Sequence, residues 1–476
     1  METTLAFPQE TQRTAFAWLW ALAVVMHLLY LSNSYAAFAS FTADHAVHVA
    51  LAVAAVALLI RPRSVGLLAI VCVLTPITAW FEAPRLANHW LLASLVALGL
   101  LSAMTIGAFR RPRDVDGTLC ADGFPVARVI FLVVYGFCAL AKFNTSFIDP
   151  TVSCANHFTD EVARSLGLAS FTSVGDDWWM HAIPWIVMAI ESSVVILLLI
   201  TRTRVLGVVV ALIFHGLIAF DTDHAFSDFS SVIAVLVLLL LPEEFFTSIA
   251  PRLRTTAVRI GALVIAGLSA MALLWQSTDT GRRSVSTIGN LRDALWWVVW
   301  AVVTATVVAW AVRRRRISSS VRLMPEDRWL LAWPALTFLI GCGPYLELRT
   351  ATSWNMYANL QTARGSSNSF LIPVTAGLTD AQDDLVRIVS STDPGLQVYA
   401  GTEIELPFVN LRGYTSTHPD TAVTFVRDGE TVTVEHTRDD PQLGTALPWW
   451  QEKVLVYRSI DTQGAVSCQD TTWAAR

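Results

Sequence analysis

The sequence predicts a mainly α-helical, polytopic membrane bundle of about eleven helices, counted from the ~20 apolar residues that a hydrocarbon core requires. An extracytoplasmic, strand-rich α+β domain is expected to follow it. Three observations predict this class. Of 476 residues, 54% are hydrophobic and only 15% charged, with a mean hydropathy of +0.52, whereas a soluble domain carries about 25% charged residues. Apolar runs of near-spanning length recur up to residue 345. Beyond it the composition becomes that of a globular domain.

The runs fall at 15–31, 45–60, 65–82, 89–109, 126–142, 179–200, 204–220, 229–246, 257–275, 294–312 and 329–345. The first, Phe16 to Leu31, lacks a basic lead and a small-residue cleavage site, so it is expected to be retained as a helix. Arginines follow every second run: Arg61 and Arg63, then Arg110, Arg111 and Arg113, then Arg202 and Arg204, then Arg252 and Arg254, then Arg313 to Arg316. The positive-inside rule places those exits, and the N-terminus, in the cytoplasm. With an odd number of spans, residues 1–345 form the bundle in the cytoplasmic membrane and residues 346–476 lie outside. In that second part Ala422 to Val426 and Thr431 to Val434 alternate around Asp428-Gly429, a hairpin signal. Leu455-Val456-Tyr457 reads as a further strand.

A formal net charge of -5 gives no reason to expect nucleic acid, and membrane lipid is the partner the hydropathy implies. Six cysteines show no Cys-x-x-Cys pair and no zinc-like spacing with histidines, so no metal is expected. Cys154 and Cys468 both fall outside under this topology, where disulfides persist, and are expected to pair; Cys342 is the competing partner.

Ionisable residues in the hydrocarbon region are costly and point to function. Asp44, His45 and His48 open the second run, Glu82 closes the third, and Asn88-His89-Trp90 opens the fourth. Lys142 closes the fifth, Glu191 sits in the sixth, His215 in the seventh, and Asp221, Asp223 and His224 follow it. Glu191 lies near the middle of its run and the others toward the outer side, and the inner half reads as almost bare of such groups. The pattern predicts an outward-opening polar pocket in which Lys142, His215 and Glu191 meet, with His48 and His89 as further binding residues. Each also has a plain reading: a terminal lysine snorkels, interfacial histidines are common, and Glu191 or His215 can bridge helices. Lys142 stands out because the chain has only Lys142 and Lys453 among its 33 basic residues.

Three stretches carry a family resemblance. They are Tyr135-Gly136-Phe137-Cys138-Ala139-Leu140-Ala141-Lys142-Phe143-Asn144 running on to Cys154; Phe214-His215-Gly216-Leu217, preceded by Glu191; and Pro344-Tyr345-Leu346-Glu347-Leu348-Arg349-Thr350 continuing to Ser367-Asn368-Ser369. The chain resembles bacterial proteins with the horizontally transferred transmembrane domain, relatives of vitamin K-dependent gamma-carboxylase, with the core of the likeness at about 120–250 in this numbering. Ala363 stands where that family carries an acidic residue, and Asn368-Ser369 where it often reads Asn-His. The resemblance implies a carboxylating, quinol-oxidising membrane enzyme of the carbon–carbon lyase class. It implies reduced menaquinone or a vitamin K-type quinol as cofactor, a secreted peptide or protein as substrate, and Lys142 as the base. A lysine, unlike arginine, is able to serve as a base when desolvated. His215 and Glu191 carry over as positions without assigned roles. Two other readings stay open: a non-catalytic membrane factor for maturation or export of a secreted partner, and a lipid- or quinone-binding protein without turnover.

Overall fold

The computed structural model describes residues 6–30, 42–110, 114–168, 177–222, 224, 226–276, 278, 285–314, 318–462 and 464–468. Arg111, Arg113, Asp223, Arg315 and Arg316 lie outside the described residues.

Every apolar run folds as helix. In chain order the helices are α1 (Ala6–Tyr30), α2 (Ala43–Ile60), α3 (Val65–Glu82), α4 (Asn88–Arg110), α5 (Phe124–Ala141), α6 (Cys154–Ser165), α7 (Trp178–Leu199), α8 (Arg204–Ile218), α9 (Phe226–Leu238), α10 (Glu243–Leu253), α11 (Thr256–Gln276), α12 (Val285–Arg314) and α13 (Ala332–Cys342). Polar caps set several starts: Thr42 accepts from the His45 amide and Ser64 from that of Leu67. Among the described residues eight helices, α1 to α5, α7, α11 and α12, are long and apolar enough to cross a membrane. The chain is a multi-pass membrane protein.

Hydropathy predicts about eleven spans, and length alone does not reach that number. The eighth run is broken near Pro242, where α9 and α10 meet at 114°, a bent pair that would make a ninth span. The helices α8 and α13 are apolar but shorter, and α13 gives its first turn to a 3-10 segment, Arg328–Leu331.

The C-terminal part holds a small hairpin, β1 (Thr362–Ala363) and β2 (Ser366–Ser367), and a five-stranded antiparallel sheet. The sheet's strands are β3 (Leu385–Ser391), β4 (Ile404–Pro407), β5 (Val423–Arg427), β6 (Glu430–Val434) and β7 (Ile460–Asp461), in the order β6-β5-β3-β4-β7. One helix, α14 (Phe408–Thr417), packs Leu411 and Tyr414 into the sheet's core with Val386, Ile388 and Phe425. The β5–β6 turn is Asp428-Gly429, with φ of 53° and 81°, the pair of left-handed residues that a two-residue hairpin of this twist needs. The strand expected at Leu455-Val456-Tyr457 is not formed. The Val456 carbonyl accepts the amides of Thr350 and Ala351 instead, so this segment ties the sheet to the linker after α13.

The bundle has two unlike ends. At one, Arg13 pairs with Asp116 and donates to the Arg63 carbonyl, and Arg110 pairs with Asp327. Here Arg128 and Arg204 are buried and donate to carbonyls of Leu239, Arg322, Leu198 and Ser319 at 2.7–2.9 Å. The end expected to be almost bare of ionisable groups thus buries two guanidinium groups, which backbone carbonyls near helix ends solvate. The opposite end carries the C-terminal domain. Lys453 donates to the Trp80 and Ala83 carbonyls, Thr352 to that of Leu86, and Asn144 to that of Ala358.

Candidate functional site

Where the domain meets the bundle, four helix ends and one helix interior bring imidazoles and carboxylates together. Glu82 is the last residue of α3, which the following Ala83-Pro84 ends. His89 lies in the first turn of α4, His48 in the second turn of α2, and His27 near the end of α1. Asp228 lies in the first turn of α9, where unpaired amides and the helix dipole favour a carboxylate.

These residues form one buried chain. His48 Nδ1 lies 2.8 Å from Asp44 Oδ1, and its Nε2 lies 3.3 Å from Glu82 Oε1. Glu82 Oε2 is 3.2 Å from His27 Nε2, and His27 Nδ1 is 2.9 Å from Asp228 Oδ2. The same Asp228 oxygen meets His89 Nε2 at 2.8 Å. His27, Asp228 and His48 are 0%, 1% and 2% exposed. The His27 ring stacks on that of Trp90 at 3.7 Å, which fixes its plane, and His89 meets Phe229 edge-on. Among the described residues Asp228 Oδ1 is buried without a hydrogen-bond partner.

His27, Glu82, His89 and Asp228 line a cavity of about 370 Å³ that the bundle and the domain enclose together. Phe226, Phe229, Tyr357 and Leu360 supply apolar wall, and Arg85 and Arg458 supply positive charge. Burial of the Arg458 guanidinium pushes its pKa down to about 10. Much of the domain's share of the wall comes from the 347–360 segment, with the rest from residues 361–362, 382, 458–460 and 466–467; in that segment Glu347, Thr352, Trp354, Tyr357 and Asn359 have φ between 49° and 60°. Non-glycine residues held in this region cost on the order of 1 kcal/mol each. Their conformation is over-determined by hydrogen bonds: the Trp354 amide to Asn88 Oδ1, Trp354 Nε1 to the Thr337 carbonyl, and Asn359 Nδ2 to the carbonyls of Val152 and Val466. Cys154 and Cys468 form a disulfide, with Cα atoms 4.8 Å apart, and Cys154 reaches the same cavity.

The residues expected to share one pocket fall into two groups, Lys142, Glu191 and His215 in one and His48 and His89 in the other. Lys142 caps α5 and its Nζ lies 2.8 Å from Glu191 Oε2 on α7, a contact close in distance but not directed as a hydrogen bond, so the attraction is mainly Coulombic. His215 is on α8, with Nε2 3.1 Å from the Tyr135 hydroxyl, Nδ1 buried without a partner, and its carbonyl accepting from Ser230. None of the three is among the cavity's lining residues. Asn144, two residues after Lys142, holds the carbonyl of Ala358, a residue of the cavity wall. His48 joins the chain through Glu82, and His89 faces the cavity. His45 bonds to Thr42 at the start of α2, and Asp221 is buried and paired with His224 rather than solvated. Sequence reasoning passes over His27 and Asp228. The available signal is their place as ionisable residues, His27 inside the first apolar run and Asp228 immediately before the eighth.

Comparison with protein-family models, curated proteins and solved structures finds no match.

Proposed function

We propose that this chain is a membrane enzyme of gamma-carboxylase type that binds a lipid-soluble quinol in the cavity and takes a proton from its hydroxyl. The observation that carries the reading is the buried imidazole–carboxylate chain ending on the wall of a cavity of about 370 Å³. Pockets of roughly 300–1,000 Å³ suit small cofactors. A quinol ring would find aromatic wall at Phe226, Phe229 and Tyr357, and its hydroxyl a proton acceptor at the His89–Asp228 end. A general base must reach the proton it takes, and His89 faces the cavity whereas Lys142 does not. In this reading Lys142 is a positioning residue, which fixes the α5 end and through Asn144 the cavity wall.

The assay is oxygen-dependent oxidation of reduced naphthoquinol by the purified protein. His89→Gln is expected to abolish it, and Lys142→Arg, which keeps the charge facing Glu191, to retain most of it. A dead Lys142→Arg beside an active His89→Gln would move the base back to Lys142. No turnover by the wild-type protein would leave the non-catalytic maturation factor as the reading.

The orientation proposed has the N-terminus in the cytoplasm and the C-terminal domain outside, since the arginine-rich turns lie at the end away from that domain. Disulfides persist in oxidising compartments. Thiol labelling of intact cells should therefore find Cys154 and Cys468 blocked until a reductant is added; both labelling freely without one would reverse the orientation.

A further inference from the structure

We propose that His27 Nδ1, His89 Nε2 and an Asp228 carboxylate oxygen form a binding site for one divalent first-row transition ion, iron(II) or zinc(II), open toward the cavity. The three donor atoms lie within 4.8 Å of one another, and all three residues are buried. Two imidazoles and one carboxylate with positions left open are the donor set such ions take in reactive sites.

The contacts fit an ion better than a closed hydrogen-bond relay. Both imidazole nitrogens converge on one oxygen, Asp228 Oδ2, at 2.9 and 2.8 Å, while Asp228 Oδ1 has no partner although buried. A buried carboxylate oxygen without a donor is uncommon. Metal–ligand bonds of about 2.0–2.2 Å would set the donor atoms roughly 3–3.5 Å apart. The two short contacts would need to open by only a few tenths of an ångström. Asp228 could then offer either oxygen.

The surroundings are those that orient metal ligands. A ligating histidine usually gives its other nitrogen to a carboxylate or carbonyl. His27 Nε2 faces both Glu82 oxygens at 3.2 and 3.3 Å, and His48 Nε2 holds Glu82 from the far side at 3.3 Å. Stacking on Trp90 sets the His27 ring plane. The 370 Å³ cavity supplies an entry path and room for a ligand in the open positions. No spacing motif announces the site, because Asp228 is 201 residues from His27 and 139 from His89. The inference stands on this geometry and does not depend on the quinol.

The test uses the full chain, purified in detergent, stripped with a chelator and titrated with cobalt(II). One equivalent per chain should bind with visible d–d absorption, and elemental analysis of protein isolated without chelator should find about one iron or zinc. His89→Gln and Asp228→Asn should each weaken cobalt binding at least tenfold. His45→Gln, at a residue that bonds to Thr42 at the start of α2 among the described residues, should leave it unchanged. A folded wild-type protein that binds no stoichiometric ion overturns the proposal, as does a spectrum retained in both site variants. Stoichiometric metal without quinol turnover would sink the enzymatic reading and keep this one; quinol turnover by protein that binds no stoichiometric ion would do the reverse.

Discussion

Two buried polar clusters sit at the domain end of the bundle, and they are built differently. Lys142 and Glu191 are a single pair joining α5 to α7, each the other's main counter-charge. The chain from His48 through Glu82, His27 and Asp228 to His89 joins five helices, and each inner member touches two others. A lone pair fails when either member is removed, whereas a chain redistributes its contacts. The pair is not among the residues lining the cavity, while His27, Glu82, His89 and Asp228 of the chain lie on its wall. Charge at a membrane helix end is therefore not by itself the mark of a site. Convergence of several groups on shared space is the stronger sign.

The largest effect expected is at the pair. Lys142→Met leaves Glu191 as an uncompensated buried carboxylate, which costs about 3–5 kcal/mol. The double variant Lys142→Met/Glu191→Gln removes the charge as well and should recover most of that loss. Thermal unfolding in detergent checks both. A single variant as stable as wild type would mean that Glu191 is solvated, and the contrast with the chain would collapse.

The cover over the cavity comes next. Cys154 starts α6 and Cys468 lies near the end of the described chain, so their bond pins the segment whose Val466 carbonyl holds Asn359. Removing such a cross-link costs about 2–4 kcal/mol. Cys468→Ser should lower the unfolding temperature and expose the 464–468 segment to protease, with the Lys142–Glu191 coupling unchanged. Loss of that coupling in Cys468→Ser would show that cover and pair are one cooperative unit.

How much of this was legible follows from which signals are local. Membrane helices announce themselves through composition, so every apolar run was found, and Asp428-Gly429 announced its hairpin through the backbone that only such residues adopt readily. Leu455-Val456-Tyr457 misled because alternation and β-propensity do not say which partner the backbone will find, and here it found Thr350 and Ala351. Three of the eleven runs fold as helices that do not reach span length by themselves, the one bent near Pro242 and the shorter α8 and α13. The Lys142–Glu191 contact joins two residues singled out in the sequence, but their separation from the cavity depends on packing across α5 and α7, which no local pattern encodes. The His27–Asp228 contact was the least legible, since it closes over 201 residues. Treating every ionisable residue inside or bordering an apolar run as a candidate would have found both partners without giving their pairing.

The smallest stability effect should come from His48→Gln, and it separates the two clusters most sharply. His48 Nε2 meets Glu82 at 3.3 Å, while its Nδ1 is held by the Asp44 side chain and carbonyl at 2.8 and 2.9 Å. Removing the imidazole takes one contact from Glu82, which keeps both contacts to His27. No buried charge is stranded, so the loss should be that of an ordinary hydrogen bond, about 1 kcal/mol, well below the loss at Lys142. Ligand binding should respond out of proportion. Glu82 orients His27, and loss of such an outer partner typically lowers metal affinity by about 10–100-fold. A variant nearly as stable as wild type but clearly weaker in cobalt binding is thus the expected outcome, measured by unfolding and titration on one preparation. If His48→Gln instead unfolds as readily as Lys142→Met, the chain is a structural brace like the pair. If it changes neither stability nor binding, His48 is not coupled to His27 through Glu82, and the chain ends at Glu82.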